Sequence, residues 1–309
     1  MNFSSMEYFA VLARERSFTR AAERLHITQQ SLSSHIAGLE KELGCQLLVR
    51  RAPLSLTYAG EVFLRYAASF RQAETAMRRE FCDISRDQKG VLRVGAAAAR
   101  GRALLPRAVA AFQKTYPNIR VELTEGANDV LCRLLERGEL DLAVAAFPES
   151  LPKIRLRDFY REEVVLLLRR GLLEETFGAE AGAREAAFRA GDLRALGECP
   201  VVLGGPEDID GRIGRAVLRD AGIGEPRLRA VSHNVGMLLS LCAEGAGACF
   251  CPEGLARSLL PEAGWADLLA FPLGERARYW IRFGYRAESY QWSVLEAFMD
   301  RAAACAGRG

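Results

Sequence analysis

A chain of 309 residues, 50 % hydrophobic and 26 % charged, has room for two or three compact units with cores of their own. Its net charge of +3 is too small to mark a nucleic-acid binder by electrostatics alone. The start MNFSSMEYFA lacks the basic residues and long apolar run of a secretion signal, and no stretch of about 18 apolar residues occurs. A soluble cytoplasmic protein with eight reduced cysteines and no membrane contact is therefore expected.

The small surplus of charge has a place. Residues 1–89 hold 13 Lys/Arg and 10 Asp/Glu, whereas residues 90–309 hold 29 of each. The first segment also carries SFTRAAERLHITQQSLSSHIAGLEKELG (17–44), two helical patterns joined by a tight break. The first is built on Ala21, Ala22 and Leu25. The second rests on Leu32, Ile36, Leu39 and Leu43, at steps of four, three and four, the period of one buried helix face. Its opposite face shows Gln30, Ser33, Ser34, Ala37 and Lys41, narrow and almost uncharged. Thr28 stands one residue ahead and predicts an N-cap. The layout is that of a helix-turn-helix whose second helix reads base edges of double-stranded DNA. The alternative is an ordinary helical hairpin with a solvated Ser/Gln face.

After it, Val49–Leu56 reads as a small hairpin, a wing, with Arg50 and Arg51 placed for phosphates and Pro53 and Thr57 framing the arm. From Thr57 to about Gln88 there is no proline, and no glycine beyond Gly60, which predicts one long helix. Phe63, Phe70, Met77 and Ile84 recur every seven residues along it, with Ala67 and Phe81 at the intervening step and Glu74 the single polar exception. This heptad seam predicts pairing with a second copy, against the alternative of packing on its own domain.

From Gly90 the pattern changes to strand (91–97), helix (104–117), strand (119–126), helix (128–140) and strand (141–147), a parallel sheet with crossover helices. Residues 161–170 read as the strand leaving this lobe. A second lobe follows, with strands at 199–205, 227–232 and 248–252 and helices at 210–223 and 234–247. Residues 266–273 return the chain to the first lobe, and a strand (279–286) and a helix (288–306) close it. Residues 171–197 read as an Ala/Gly/Glu-rich excursion between lobes, with no role assigned.

Several constellations carry little chemistry. Gly245 and Gly247 follow a helix and precede a strand, the reverse of a phosphate-binding loop. Cys249 and Cys251 share one strand face without the Cys or His partners that zinc needs. Cys199 and Cys242 are candidates to approach in the fold, as a redox pair or as small buried hydrophobes. No serine or cysteine is paired with His26, His35 or His233 at a recognisable spacing, so no catalytic residue, cofactor or metal is assigned. The loop Ala96–Gly101 says more. It lies at the carboxyl edge of a parallel sheet, where ligands bind, and it opens a helix whose amides favour an anion. Arg100 and Arg102 add charge beside it.

Residues 1–60 resemble the N-terminal domain of LysR-type transcriptional regulators. Met6, Phe9 and Leu12 fall where that family has its first-helix core. SFTRAAERLHITQQSLS and LEKELG look like its signature, and QLLVR and LTYAG match its wing and linker start. Leu48 stands where the family usually has Phe, and the segment Arg50–Leu56 is about one residue short. The likeness continues through LLP, TYP, ELTEG and GELDLAV and thins after residue 147.

The resemblance implies a winged helix-turn-helix (1–58), a dimerising linker helix (59–89), and a periplasmic-binding-protein-like α/β domain (90–309). Lobe I of that domain comprises 90–164 and 268–309, and lobe II 165–267. It implies DNA contacts from Thr28, Gln29, Gln30, Ser31, Ser33, Ser34 and His35, with Arg50, Arg51 and Thr57 at the wing. It places a small-molecule effector between the lobes, near Ala98, Ala99, Arg100 and Asn128, and near Gly205, Asn234 and Cys249 of the second lobe. A small carboxylate fits the helix-opening loop. The family usually forms tetramers as dimers of dimers, and the seam of Phe63, Phe70, Met77 and Ile84 supports the dimer step. A solute-binding protein and an enzyme reusing the two-lobed fold are the other classes. The DNA-binding segment argues against the first, and the lack of a catalytic constellation against the second.

Overall fold

The computed structural model describes residues 2–51, 53–85, 88–287 and 290–306. The tip of the wing at Ala52 and the end of the linker segment at Arg86 and Asp87 lie outside the described residues. The chain divides into two compact units, one of residues 1–87 with 288–292 and one of residues 88–287 with 293–309.

The first unit begins with three helices, α1 (Phe3–Glu15), α2 (Phe18–Leu25) and α3 (Gln29–Leu43). Each starts on a polar cap. Asn2 accepts from the Ser5 amide, Ser17 from Arg20 and Thr28 from Ser31, which satisfies one orphan donor at each helix start. The tight break is made by His26, which adopts a left-handed φ of 54° and turns its amide back to Ala22 and Glu23. Met6, Phe9, Leu12, Ala21, Ala22, Leu32, Ile36 and Leu39 meet in one core. Leu43, the fourth member of the expected face, is 39 % exposed at the last turn, where the helix has run past the core.

Strands β1 (Leu48–Val49) and β2 (Ser55–Leu56) pair antiparallel, Leu48 opposite Leu56 and Val49 opposite Ser55, and form the base of the wing. The long helix α4 (Tyr58–Ser85) follows. Its first turns pack on this unit's core. Gly60 lies so close to Leu47 that a Cβ there would meet its carbonyl oxygen at 2.1 Å. Phe63 is 8 % exposed and sits edge-on to Phe9 at 5.1 Å. The assignment of Phe63 to a seam between copies is thus corrected: it fills its own domain's core, a burial that contributes about 1.5–3 kcal/mol. Phe70, Met77 and Ile84 further along are exposed. Residues 290–292 pack beside the far end of α4, with the Arg79 guanidinium 4.6 Å over the Trp292 ring and the Tyr290 hydroxyl on Asp83.

The second unit is α/β. Its first part runs β3 (Gly90–Ala96), α5 (Ala98–Gln113), β4 (Ile119–Glu125), α6 (Asn128–Glu136) and β5 (Leu142–Ala145). β3 lies between β4 and β5, parallel to both. Then comes β6 (Ile154–Arg169), 16 residues long and shared by both lobes. Helices α7 (Arg170–Phe177) and α8 (Ala181–Arg189) follow it, then β7 (Pro200–Leu203), α9 (Ile209–Asp220), β8 (Arg227–Val231), α10 (Val235–Ala243) and β9 (Cys249–Pro252). The chain returns through α11 (Glu253–Leu259), α12 (Glu262–Ala266), β10 (Leu268–Pro272), β11 (Arg278–Arg286) and α13 (Ser293–Ala306).

The topology follows from β6. Its residues 154–163 pair with β11, which in turn pairs with β5, and so join the first lobe. Its last residues lie between β9 and β10, antiparallel to both, and β7 with β8 extends that sheet through a parallel bridge at Val201–Ala248. Val164, Leu166 and Leu168 face a core closed by α7, α8 and α9, while Val165 and Leu167 face one closed by α10 and α11. Such a strand reads as an unbroken apolar run because both faces are covered. Residues 171–197 are no excursion. They supply Leu172, Leu173, Phe188, Leu193 and Leu196 to the first of these cores. The closing helix begins at Ser293, five residues later than the pattern predicts.

Candidate nucleic-acid interface and ligand cleft

The outer face of α3 presents Gln30 and Ser34 exposed and Ser33 half-buried. Gln30 and Ser34, with Asn2 and Ser5 of the α1 start and with Thr28, Ser31, His35, Gly38, Leu39 and Glu42, line an open groove of about 610 Å³. The face carries little charge, so what it offers is hydrogen-bonding shape, which suits base edges better than phosphates. His35 is not a free-standing ring. Tyr8 meets it edge-on at 4.9 Å and the Ser5 hydroxyl lies 3.5 Å from its Nδ1, which fixes the imidazole against α1. Gln29 is exposed beside Thr19, whose hydroxyl is 3.5 Å from its amide oxygen.

At the wing the three predicted residues separate. Arg51 is exposed and makes no ion pair among the described residues. Arg50 is held by Glu40 at 2.9 Å, and the same carboxylate accepts the Leu47 and Leu48 amides, so this pair ties the wing to α3. Thr57 is corrected. Its hydroxyl donates to the Gln46 carbonyl at 2.7 Å and accepts from the Gly60 amide at 3.0 Å, so it caps α4.

The second unit has a cleft of about 410 Å³ between its lobes. One wall is the carboxyl edge of the parallel sheet and the start of α5: Ala96, Ala98, Ala99, Gly101, Arg102, Thr124 and Glu125. The other carries Asn234, Gly236 and Leu259. No side chain caps α5, so its first amides have no side-chain acceptor. Asn234 caps α10 through the Met237 amide at 3.2 Å.

Three predicted cleft residues lie elsewhere, and a fourth is turned inward. Arg100 is 7 % exposed, and its fork is filled by Glu162, Nε to Oε1 at 3.0 Å and Nη2 to Oε2 at 2.9 Å. Burial works against its charge, but Glu162 more than compensates and raises its pKa; the same pair lowers that of Glu162 despite burial. Arg100 is therefore no partner for an incoming carboxylate. Residues two apart on a helix face nearly opposite ways, so only one of Arg100 and Arg102 can reach the cleft, and it is Arg102. Gly205 is buried under the His233 ring, which an added Cβ would meet at 2.1 Å, and its amide donates to Asp208. Cys249 is wholly buried on β9 beside Cys242. That pairing, rather than Cys199 with Cys242, is the close approach, and the hydrogen bond with Cys242, together with burial, raises the pKa of Cys249. Asn128 opens α6 outside the cleft, with its Oδ1 buried and unpartnered. Sequence reading missed Thr124 and Glu125, although the carboxyl-edge rule that selected Ala98 applies equally to the end of β4.

A winged helix-turn-helix next to a two-lobed α/β sensor defines a class of bacterial regulators. The family models agree. The model for the bacterial regulatory helix-turn-helix protein of the lysR family matches residues 3–61, and that for the LysR substrate binding domain matches residues 85–306. The chain belongs to the LysR family. It is 36 % identical over 167 residues to the uncharacterized regulator YcgK of Bacillus subtilis, covering 54 % of this chain and 52 % of that one. It is 28 % identical over 292 residues to the regulator IlvR of Caulobacter vibrioides, covering 91 % and 93 %. The chain spans about half the length of several curated relatives it matches. Its fold is similar to that of full-length CbnR complexed with its target DNA, with a TM-score of 0.61 at 24 % identity over 99 % of this chain and 100 % of that one. No helix among the described residues is long and apolar enough to cross a membrane.

Proposed function

We propose that this chain is a cytoplasmic, sequence-specific DNA-binding transcriptional regulator whose activity is set by a small molecule held between the lobes of its second unit, and that it performs no catalysis. The observation that carries the reading is the coexistence of two faces. One is a capped recognition helix whose exposed residues are neutral hydrogen-bonders, and the other is a concave cleft at the carboxyl edge of a parallel sheet. In this reading Gln30, Ser33 and Ser34 read bases and Arg51 holds a phosphate. The solved complex of CbnR with target DNA supports the same use of the fold.

The effector is a small molecule with an apolar body and one carboxylate. Alanines, Gly101, Gly236, Leu105, Pro106, Leu123 and Leu259 line most of the cleft, and the α5 amides with Arg102 supply the donors. A second copy pairs along α4 through Phe70, Met77 and Ile84, which are 44 %, 51 % and 71 % exposed on one stripe of a 28-residue helix. Such dimers assemble in pairs on a promoter. A gel-shift titration with the DNA upstream of the chain's own gene tests the whole reading. Saturable binding that survives excess unrelated duplex is expected, and binding no tighter than to that unrelated duplex would overturn it.

A further inference from the structure

Asp210 is the first-turn carboxylate of α9 and only 8 % exposed. Nothing in the cleft or the DNA face uses it. Its partner is Tyr279 of β11, whose hydroxyl oxygen lies 3.0 Å from Asp210 Oδ1 and 2.6 Å from Glu162 Oε2. Tyr160 donates to Glu162 Oε1 at 3.0 Å, and Arg100 takes both oxygens of that carboxylate. α9 thus touches the first lobe's strands through one phenol.

Counting hydrogens decides the state of this cluster. Tyr279 has a single hydroxyl hydrogen. Given to Glu162, the shorter contact, it leaves a phenol lone pair facing Asp210. Given to Asp210, it leaves a lone pair facing Glu162 at 2.6 Å. Both contacts are hydrogen bonds only if one more proton is present. Glu162 is ionised by the fixed charge of Arg100, so the extra proton belongs on Asp210. We propose that Asp210 is a protonated carboxyl that donates to Tyr279 and pins α9 to strand β11 of the first lobe, so that the setting of the lobes responds to pH.

The surroundings agree. Facing Asp210 are Glu162 of β6, Arg100 of α5, Tyr279 of β11, Asp208 just before α9, and the thiols of Cys249 and Cys251 of β9. Arg100 is the one cation among these, and Glu162 holds it. The first turn of α9 favours a negative charge, an effect of about 0.3–1 kcal/mol at exposed sites. Burial outweighs it, and Glu162 adds repulsion, which together push the Asp210 pKa up to about 7. The seat of α9 leaves no slack for relaxation. An added Cβ at Gly211 would meet the Gly205 carbonyl at 2.1 Å, and one at Gly214 the Phe250 ring at 2.6 Å. Arg100 belongs to the α5 turn whose Ala98 and Ala99 line the cleft, so the relay ends beneath the cleft wall.

The sign is that of a raised carboxyl. The contribution of the proton is complete below about pH 4, the unfolded value, and falls by about tenfold in the folding constant per pH unit up to about pH 7. Above that it is lost. The test is urea unfolding of the full chain between pH 5 and 8.5, wild type against Asp210→Asn. The amide of the variant still donates to Tyr279 but cannot ionise. The ratio of wild-type to variant folding constants should fall about tenfold per unit from pH 5 to 7 and level off above. Parallel profiles would overturn the proposal. Infrared spectra of the wild type give a second reading that needs no variant to fold. A protonated carboxyl C=O band should be present at pH 6 and gone by pH 8.5, and absence of the band at pH 6 would equally overturn it. In Tyr279→Phe the band should shift as its acceptor disappears, and a folded variant with an unmoved band would count against the assigned partner.

Discussion

Gln30 and Ser34 stand exposed on α3, while Arg51 stands exposed on the wing, and the two kinds of residue should fail in different ways. Gln30→Ala and Ser34→Ala are expected to lose about 1–3 kcal/mol of discrimination at particular base pairs and to leave the salt dependence unchanged. Arg51→Ala should weaken all sequences alike and lower the salt slope by about one unit. Binding isotherms on a panel of single-base variants at several salt concentrations separate the two. Equal effects on the slope from both classes would sink the division of labour. Thr28→Ala removes the cap of α3 and should cost about 1 kcal/mol of unit-one stability, seen as a lower thermal midpoint. At this scale the caps and the exposed face of α3 were legible, because they depend on residues within one turn of each other. Arg100 was not, because its partner Glu162 is 62 residues away and no local pattern announces it. Thr57 misled for the opposite reason: a hydroxyl near a wing reads as a phosphate donor, and only the strand register shows that Gln46 takes its hydrogen.

Among the elements, α4 carries the sharpest expectation. Its exposed stripe of Phe70, Met77 and Ile84 lies beyond the turns held by the domain core. Met77→Glu would place two carboxylates side by side on the axis of a paired helix, where they cannot both ionise cheaply. Sedimentation velocity should show the dimer dissociating, with DNA affinity falling in parallel. An unchanged oligomer in a folded variant would show that the stripe serves something else. The heptad period revealed this helix but not where its packing duty changes, since Phe63 and Phe70 are equivalent in spacing and differ only in what lies beside them. α7 and α8 were hidden differently. Their Ala/Gly/Glu-rich sequence has the composition of a linker, and Leu172, Leu173 and Phe188 are the large side chains that reach the core from it.

For the whole molecule, the order of strands and crossover helices was readable because periodicity switches from two to 3.6 at each boundary. The cleft was readable as a place and not as a set of contacts, since its walls come from segments more than a hundred residues apart. A thermal-shift screen of metabolites on the full chain, repeated with Arg102→Ala, tests the walls as drawn. A small carboxylate should raise the melting point of the wild type, by an amount set by its concentration over Kd, and the shift should shrink in the variant. Stabilisation by cations alone, or an anion effect untouched by the substitution, would remove Arg102 and the α5 amides from the ligand's reach.

Strand β6 has a cost that is met during biosynthesis rather than in the native state. Its stretch Val164–Leu168 is apolar on both faces, and its flanking strands β9 and β10 lie about eighty and a hundred residues further along the chain. At roughly 5–20 residues per second on the ribosome, that segment waits several seconds for its neighbours. Such a run, with high β-propensity and no charge, is a template for aggregation while it waits. Nascent chains arrested between residues 190 and 245 should therefore be avid chaperone clients and should precipitate when released without one, whereas chains arrested past β10 should not. Cross-linking of stalled nascent chains along this series would show whether capture ends when β9 and β10 have emerged.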